Sequence, residues 1–234
     1  MSTEKSLPAR RRPATSAELE GIPWLPSLSA EERERAVAEL VVGEVLPGEH
    51  VCRLGRPATY WFGVLHGLLK MSSNNKAGQT VTFLGVPPGG WFGEGTMIKR
   101  EPYRDDSLAL RPSLVGALPV DTFHWLLDHS IGFNRFVMGQ LNERLGQFIG
   151  ALEIDRMTDI DARVARTLWA LFNPVLYPGV GNMLRITQQE IASIAGLSRP
   201  RVNTALAALQ KKGLIRVEYG VLKVLSLDGL RSSD

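Results

Sequence analysis

Residues 186–215 read ITQQEIASIAGLSRPRVNTALAALQKKGLI. Thr187 and Glu190 stand three apart at the head of an apolar run, a spacing at which hydroxyl and carboxylate each satisfy a backbone amide at a helix start. Ile191, Ala192, Ile194 and Ala195 give that helix one apolar face. Gly196 interrupts it, Leu197 can anchor the turn, and Ser198 is a favoured residue ahead of a second helix that tolerates Pro200 in its first turn. Within the second helix, Val202, Ala205, Leu206 and Leu209 fall on one side and predict an inward face. Pro200, Thr204 and Lys211 then point away, flanked by Arg201, Asn203, Ala207 and Ala208. The text predicts helix, tight glycine turn, helix.

Such an outer face is small and polar, so it fits a DNA major groove roughly 12 Å wide. Arg199, at the entering end, can offer two parallel hydrogen bonds to a guanine edge. Gln188, Gln189, Ser198, Pro200, Arg201, Asn203 and Thr204 complete the candidate contacts to duplex DNA. Gly213 ends the second helix, and residues 214–224 read as two short strands around Gly220, the pattern of a wing. Arg216 and Lys223 on those strands are candidates to neutralise phosphates. A helix pair that only packs would share much of this text. The seven basic against two acidic residues between 185 and 223 favour a polyanionic partner.

The charge of the whole chain is only +3, but it is unevenly spread. Residues 161–234 carry ten Lys and Arg against five Asp and Glu, and residues 14–160 carry thirteen against eighteen. Upstream of a break at 158–161, Val137, Leu141, Leu145, Phe148 and Leu152 recur at heptad-like intervals. That seam suits a partner helix in a homodimer, and it equally suits a helix packed on its own β-domain. Between Val41 and Pro119 the text turns to short β-prone runs (GEVL, HVCRL, YWFGVLH, LLKM, TVTFL, SLVGAL) punctuated by Gly and Pro, which predicts a small antiparallel barrel or roll. Ser29 and Glu32 form a second capping box, ahead of a helix running to about Leu40. Residues 1–16, with Arg10, Arg11 and Arg12, have no apolar period and read as a disordered basic tail.

Several classes of function fit poorly. No run of about 18 apolar residues is present, and the charged first residues do not resemble a signal peptide, so a cytoplasmic chain with no membrane partner is expected. One cysteine, Cys52, cannot make an internal disulfide or a cysteine metal cluster, and it reads as a core residue. The four histidines include no His-x-His pair of the kind a metal-dependent β-roll enzyme uses, and no P-loop or Ser-His-Asp motif occurs. No enzyme activity, cofactor or metal is expected. A winged helix that docks a protein rather than DNA is the competing reading, and salt separates the two, because DNA affinity falls steeply with ionic strength.

The helix-turn-helix segment resembles that of the Crp/Fnr superfamily of bacterial regulators, DARVARTLWAL (161–171) resembles the helix before it, and GGWFGE (89–94) resembles a turn of the sensor. The resemblance implies an α+β chain: the tail, a double-stranded β-helix sensor over 17–131, a dimerisation helix over 132–158 and a winged helix-turn-helix over 159–234. It also implies RNA polymerase as a further partner and a small-molecule effector. Gly93, Glu94 and Arg104 match the positions with which cyclic-nucleotide-binding relatives hold ribose and phosphate. Asp105 and Asp106, however, follow Arg104, and Phe148 and Ile149 fall where the cyclic-AMP receptor uses hydroxyls for adenine. An effector other than cyclic AMP is therefore expected. A turn at Gly93-Glu94 and a surface ion pair at Arg104 would account for those residues equally well.

Overall fold

The computed structural model describes residues 11–74, 80–154, 159–218 and 220–233. Its amino-terminal part is built from β1 (Arg11–Pro13), α1 (Ser16–Glu20), a single 3-10 turn at Leu25–Ser27, α2 (Ala30–Glu39), β2 (Val41–Val45), β3 (His50–Cys52), β4 (Tyr60–His66), β5 (Leu69–Asn74), β6 (Thr80–Val86), β7 (Trp91–Phe92), α3 (Glu94–Lys99), β8 (Asp106–Ala109), β9 (Ser113–Pro119) and α4 (Val120–His129). The strands pair antiparallel in two sheets, ordered β1-β2-β9-β4-β7 and β3-β8-β5-β6. The β-roll expected from the punctuation is present. At α2, the Ser29 hydroxyl accepts from the Glu32 amide, and the Glu32 carboxylate accepts from the Ser29 amide at 2.8 Å.

Two apolar clusters hold this part. Trp24, Trp61, Trp91, Phe123 and Phe133 pack largely edge to face at the base of the roll. Phe62, Leu69, Val86 and Val115 fill the space between the sheets. Cys52 belongs to the second cluster, where burial pushes its thiol up to about 12, so it stays neutral and serves as packing.

The reading of residues 1–16 as a tail needs correction at its end. Arg11–Pro13 pair with β2, and Arg11 lies over the Tyr60 ring. Arg12 forms an ion pair with Glu18, and Thr15 caps α1. No apolar period marks these residues because long-range strand pairing and the Tyr60 ring hold them. Arg10 lies outside the described residues.

A long helix, α5 (Ile131–Ile154), leads to the carboxy-terminal unit: α6 (Ile160–Leu171), β10 (Met183–Arg185), α7 (Gln188–Ala195), α8 (Arg199–Lys211), β11 (Ile215–Glu218), β12 (Val221–Val224) and α9 (Leu227–Arg231). Asp159 caps α6. β10 adds to the two wing strands to make a sheet ordered β10-β12-β11.

The two units are distinct along the chain but share a core. A Cβ on Gly85 of β6 would come within 2.6 Å of Leu171 and 2.7 Å of Ile194, so a glycine is what lets α6 and α7 lie on the roll. Arg111, in the loop that carries the chain from β8 in one sheet to β9 in the other, donates to both carboxylate oxygens of Glu190 at 2.7 and 2.5 Å and to the Arg185 carbonyl at 2.6 Å. The start of α7 is thereby fixed to the sensor.

Candidate nucleic-acid interface

The local signals in residues 186–215 fold as they read. The Thr187 hydroxyl accepts from the Glu190 amide at 3.2 Å, and the Glu190 carboxylate accepts from the Thr187 amide at 2.7 Å. Gly196 closes α7 in the left-handed region (φ +64°), where a residue with a Cβ would be strained, and its amide returns to the Ala192 carbonyl. Ser198 stands at the N-cap of α8, but its side chain makes no capping hydrogen bond, which leaves the hydroxyl at the surface.

In α8, Val202, Ala205, Leu206 and Leu209 are buried in the shared core. Arg199, Pro200, Arg201, Asn203, Thr204, Ala207 and Lys211 are exposed. Arg199 makes no ion pair or side-chain hydrogen bond among the described residues, so its guanidinium is available to a ligand. Thr204 donates to the Pro200 carbonyl at 3.2 Å, which turns its methyl and remaining lone pairs outward. On α7, Gln189 is exposed, and half-buried Gln188 donates to the Asn203 side-chain oxygen at 2.7 Å.

Arg216 of β11 stands directly across the ladder from Lys223 of β12. Like charges paired in this way repel, and an anion relieves the repulsion. The counter-charge present is weak: Arg216 lies 3.7 Å from Glu218, with both side chains more than half exposed. β10 carries Arg185 and Met183 beside the same strand.

Candidate effector residues do not converge in the same way. Gly93 is left-handed (φ +85°) and begins α3, while Glu94 is 1% exposed and accepts from Arg144 Nε of α5 at 2.8 Å. Arg144 also donates to the Trp91 carbonyl at 2.8 Å. Burial works to lower the Arg144 pKa, but the charge and hydrogen bond of Glu94 together with those of Tyr177 outweigh it, and the pKa is raised. Burial raises the Tyr177 phenol nearby, with Arg144 opposing. Arg104 is exposed and paired with Glu101 rather than with Asp105. Asp105 is raised by burial, against the pull of Arg104, and Asp106 accepts from the Leu54 amide at 3.0 Å. Phe148 and Ile149 lie exposed on α5.

The seam on α5 divides. Val137 is 2% exposed and packs in the aromatic cluster of its own chain, so it does not belong to an outward face. Leu141, Leu145 and Phe148 are exposed together with Met138 and Ile149, which sequence spacing did not group with them. The Leu152 side chain lies outside the described residues. Another side of α5 holds the carboxy-terminal unit: Gln140 donates to the Val175 carbonyl at 3.0 Å, Gln147 to the Ala170 carbonyl at 3.1 Å, and Asn173 to Glu143 at 2.8 Å. Sequence reasoning missed these contacts and Arg111, since nothing local to them signals a partner.

Comparison with known proteins agrees with this architecture. Residues 162–233 match the Crp-like helix-turn-helix domain, and residues 42–130 match the cyclic nucleotide-binding domain. The chain is 25% identical over 206 residues to the cyclic AMP receptor protein of Thermus thermophilus, covering 88% of this chain and 94% of that one. It is 27% identical over 172 residues to the transcriptional regulator SdrP of the same organism, covering 73% and 81%. Among solved structures, FixK2 from Bradyrhizobium japonicum superposes with a TM-score of 0.62 at 16% identity, over 83% of this chain and 97% of that one. The catabolite activator protein of Thermus thermophilus gives 0.50 at 23% identity, over 89% and 96%. At those identities the two structures show the fold alone.

Proposed function

Because the chain belongs to the Crp/Fnr family of DNA-binding transcription regulators, with a cyclic-nucleotide-binding domain and a Crp-like helix-turn-helix domain, we propose that it works in the cytoplasm as a homodimer on a palindromic operator and answers to an effector other than cyclic AMP. The observation that carries the DNA reading is the outer face of α8. Its four apolar residues are sunk in the core while Arg199 stands exposed and unengaged at the entering end. Arg199 reads a base, with Ser198, Pro200, Arg201, Asn203 and Thr204 along the groove. Gln188, Gln189, Arg216 and Lys223 meet the backbone on either side.

Arg199→Ala is expected to weaken a selected operator by about 1–3 kcal/mol and to relax one base position. Arg216→Ala should weaken all duplexes about equally and flatten the salt dependence by about one phosphate. Base preference is read by selection from a randomised duplex pool, and affinity by titration at several salt concentrations. Unchanged affinity and preference in Arg199→Ala would remove α8 from the groove. Binding insensitive to salt would favour a protein partner instead.

The effector proposal rests on dispersal. Glu94 is committed to Arg144, Arg104 to Glu101, and Phe148 and Ile149 offer no hydroxyl to a base. A carboxylate at Asp105 near a cyclic phosphate adds a Coulomb cost in a half-buried place. Isothermal titration with cyclic AMP and cyclic GMP is expected to show no micromolar binding. Micromolar binding that also tightened the operator would overturn the proposal.

A further inference from the structure

Where α7 and α8 face the same side of the helix-turn-helix, one side-chain pair joins them: Gln188 donates its amide hydrogen to the Oδ1 atom of Asn203 at 2.7 Å. Asn203 lies one turn beyond Arg199 on the exposed face of α8. Gln188 is the first residue of α7, immediately after the Thr187 cap. The backbone there is held twice, by the reciprocal Thr187–Glu190 bonds and by the Arg111 fork on Glu190. The donor therefore starts from a fixed point.

A carboxamide is a donor at one end and an acceptor at the other, and alone on a helix surface it turns to suit whatever base edge it meets. While Gln188 donates, its bond holds the Oδ1 end of Asn203 towards α7. With Oδ1 directed at α7, the Nδ2 amino group is the end turned to the groove. We propose that Gln188 is a positioning residue that sets the orientation of the Asn203 amide, so that Asn203 reads a base edge that accepts hydrogen bonds. The favoured bases are keto bases on the contacted strand, guanine through O6 and N7 or thymine through O4. Adenine, which asks Asn for Oδ1 and Nδ2 together, is disfavoured because Oδ1 is engaged. This inference rests on the reading of α8 as the groove-entering helix.

The test is selection from a randomised duplex pool with the full-length protein and three variants. The parent chain should select a keto base at one position adjacent to that controlled by Arg199. Gln188→Ala frees the amide without changing charge, and the preference there should fall by roughly three- to tenfold, the scale of one hydrogen bond. Gln188→Glu can only accept, so it should draw Nδ2 towards itself and turn Oδ1 outward, shifting the position to cytosine or adenine. Asn203→Ala should erase the preference whichever residue stands at 188. A merely structural role for Gln188 would lower affinity for all sequences and leave the preferred bases unchanged. If the parent selects a defined operator while Gln188→Ala keeps every base preference, the inference fails and the DNA reading stands. If the parent selects no sequence at all, the DNA reading itself fails. Should the added charge of Gln188→Glu abolish binding, Gln188→Ala decides alone.

Discussion

Leu145→Glu is expected to convert a dimer into monomers and to weaken a selected operator by about a hundredfold or more, the gain that linking two binding modules usually supplies. Met138, Leu141, Leu145, Phe148 and Ile149 form an apolar stripe on α5 that the other described residues leave exposed, and Leu145 is 58% exposed near its middle. A glutamate there meets water in the monomer, so folding should be little affected. In a helix pair related by a two-fold axis the same carboxylate would be buried twice, close to its own copy, which costs several kcal/mol. Without the pair, two recognition helices are no longer held about one DNA turn apart. Sedimentation velocity reads the oligomer and operator titration reads the affinity. Leu46→Glu, also at an exposed leucine but on the sensor, should remain dimeric. A Leu145→Glu chain that sediments with the parent would place the interface elsewhere.

What could be read from the sequence follows from how far apart the determining groups lie. The helix-turn-helix was legible because each signal acts within a few residues: a hydroxyl and carboxylate three apart, a left-handed glycine, an apolar period. The strands GEVL, YWFGVLH and SLVGAL were legible for the same reason. β8 was not, because it opens on Asp106-Ser107, charged and polar where strands usually carry apolar residues, and its pairing with β3 and β5 comes from remote segments. Val137 shows the limit of periodicity. A stripe at intervals of four, four, three and four has two neighbouring faces, and only the position of the aromatic cluster decides which face Val137 joins. Arg111 and Glu190 are 79 residues apart, and Glu94 and Arg144 are 50 apart. Each looks in the sequence like any surface charge, so the ties that hold α5 and α7 to the sensor had no local trace.

Arg144→Ala should destabilise the folded chain by about 3–5 kcal/mol, the usual cost of leaving one member of a buried ion pair behind. Glu94 is 1% exposed and its only ion-pair partner among the described residues is Arg144. Removing the guanidinium leaves that carboxylate without a counter-charge, and it also strips the Trp91 carbonyl of its donor. Arg144→Lys should recover only part of the loss, since one ammonium on a flexible stem cannot hold the planar geometry that reaches both acceptors. The pair with both charges removed, Glu94→Gln with Arg144→Met, should lie well above Arg144→Ala, because the main penalty is the orphaned charge rather than the lost attraction. Urea titrations of the four chains, with the single variants Glu94→Gln and Arg144→Met added to complete a double-mutant cycle, measure this directly. An Arg144→Ala chain within about 1 kcal/mol of the parent would mean that water reaches Glu94. The location gives the pair its consequence for DNA binding. Arg144 ties α5 to α3 and β7 of the sensor, while Gln140, Glu143 and Gln147 on the same helix hold residues 170–175 of the DNA-binding unit. Loosening Arg144 loosens the helix through which the sensor positions α8, so operator affinity should fall in Arg144→Ala even at temperatures where the chain remains folded.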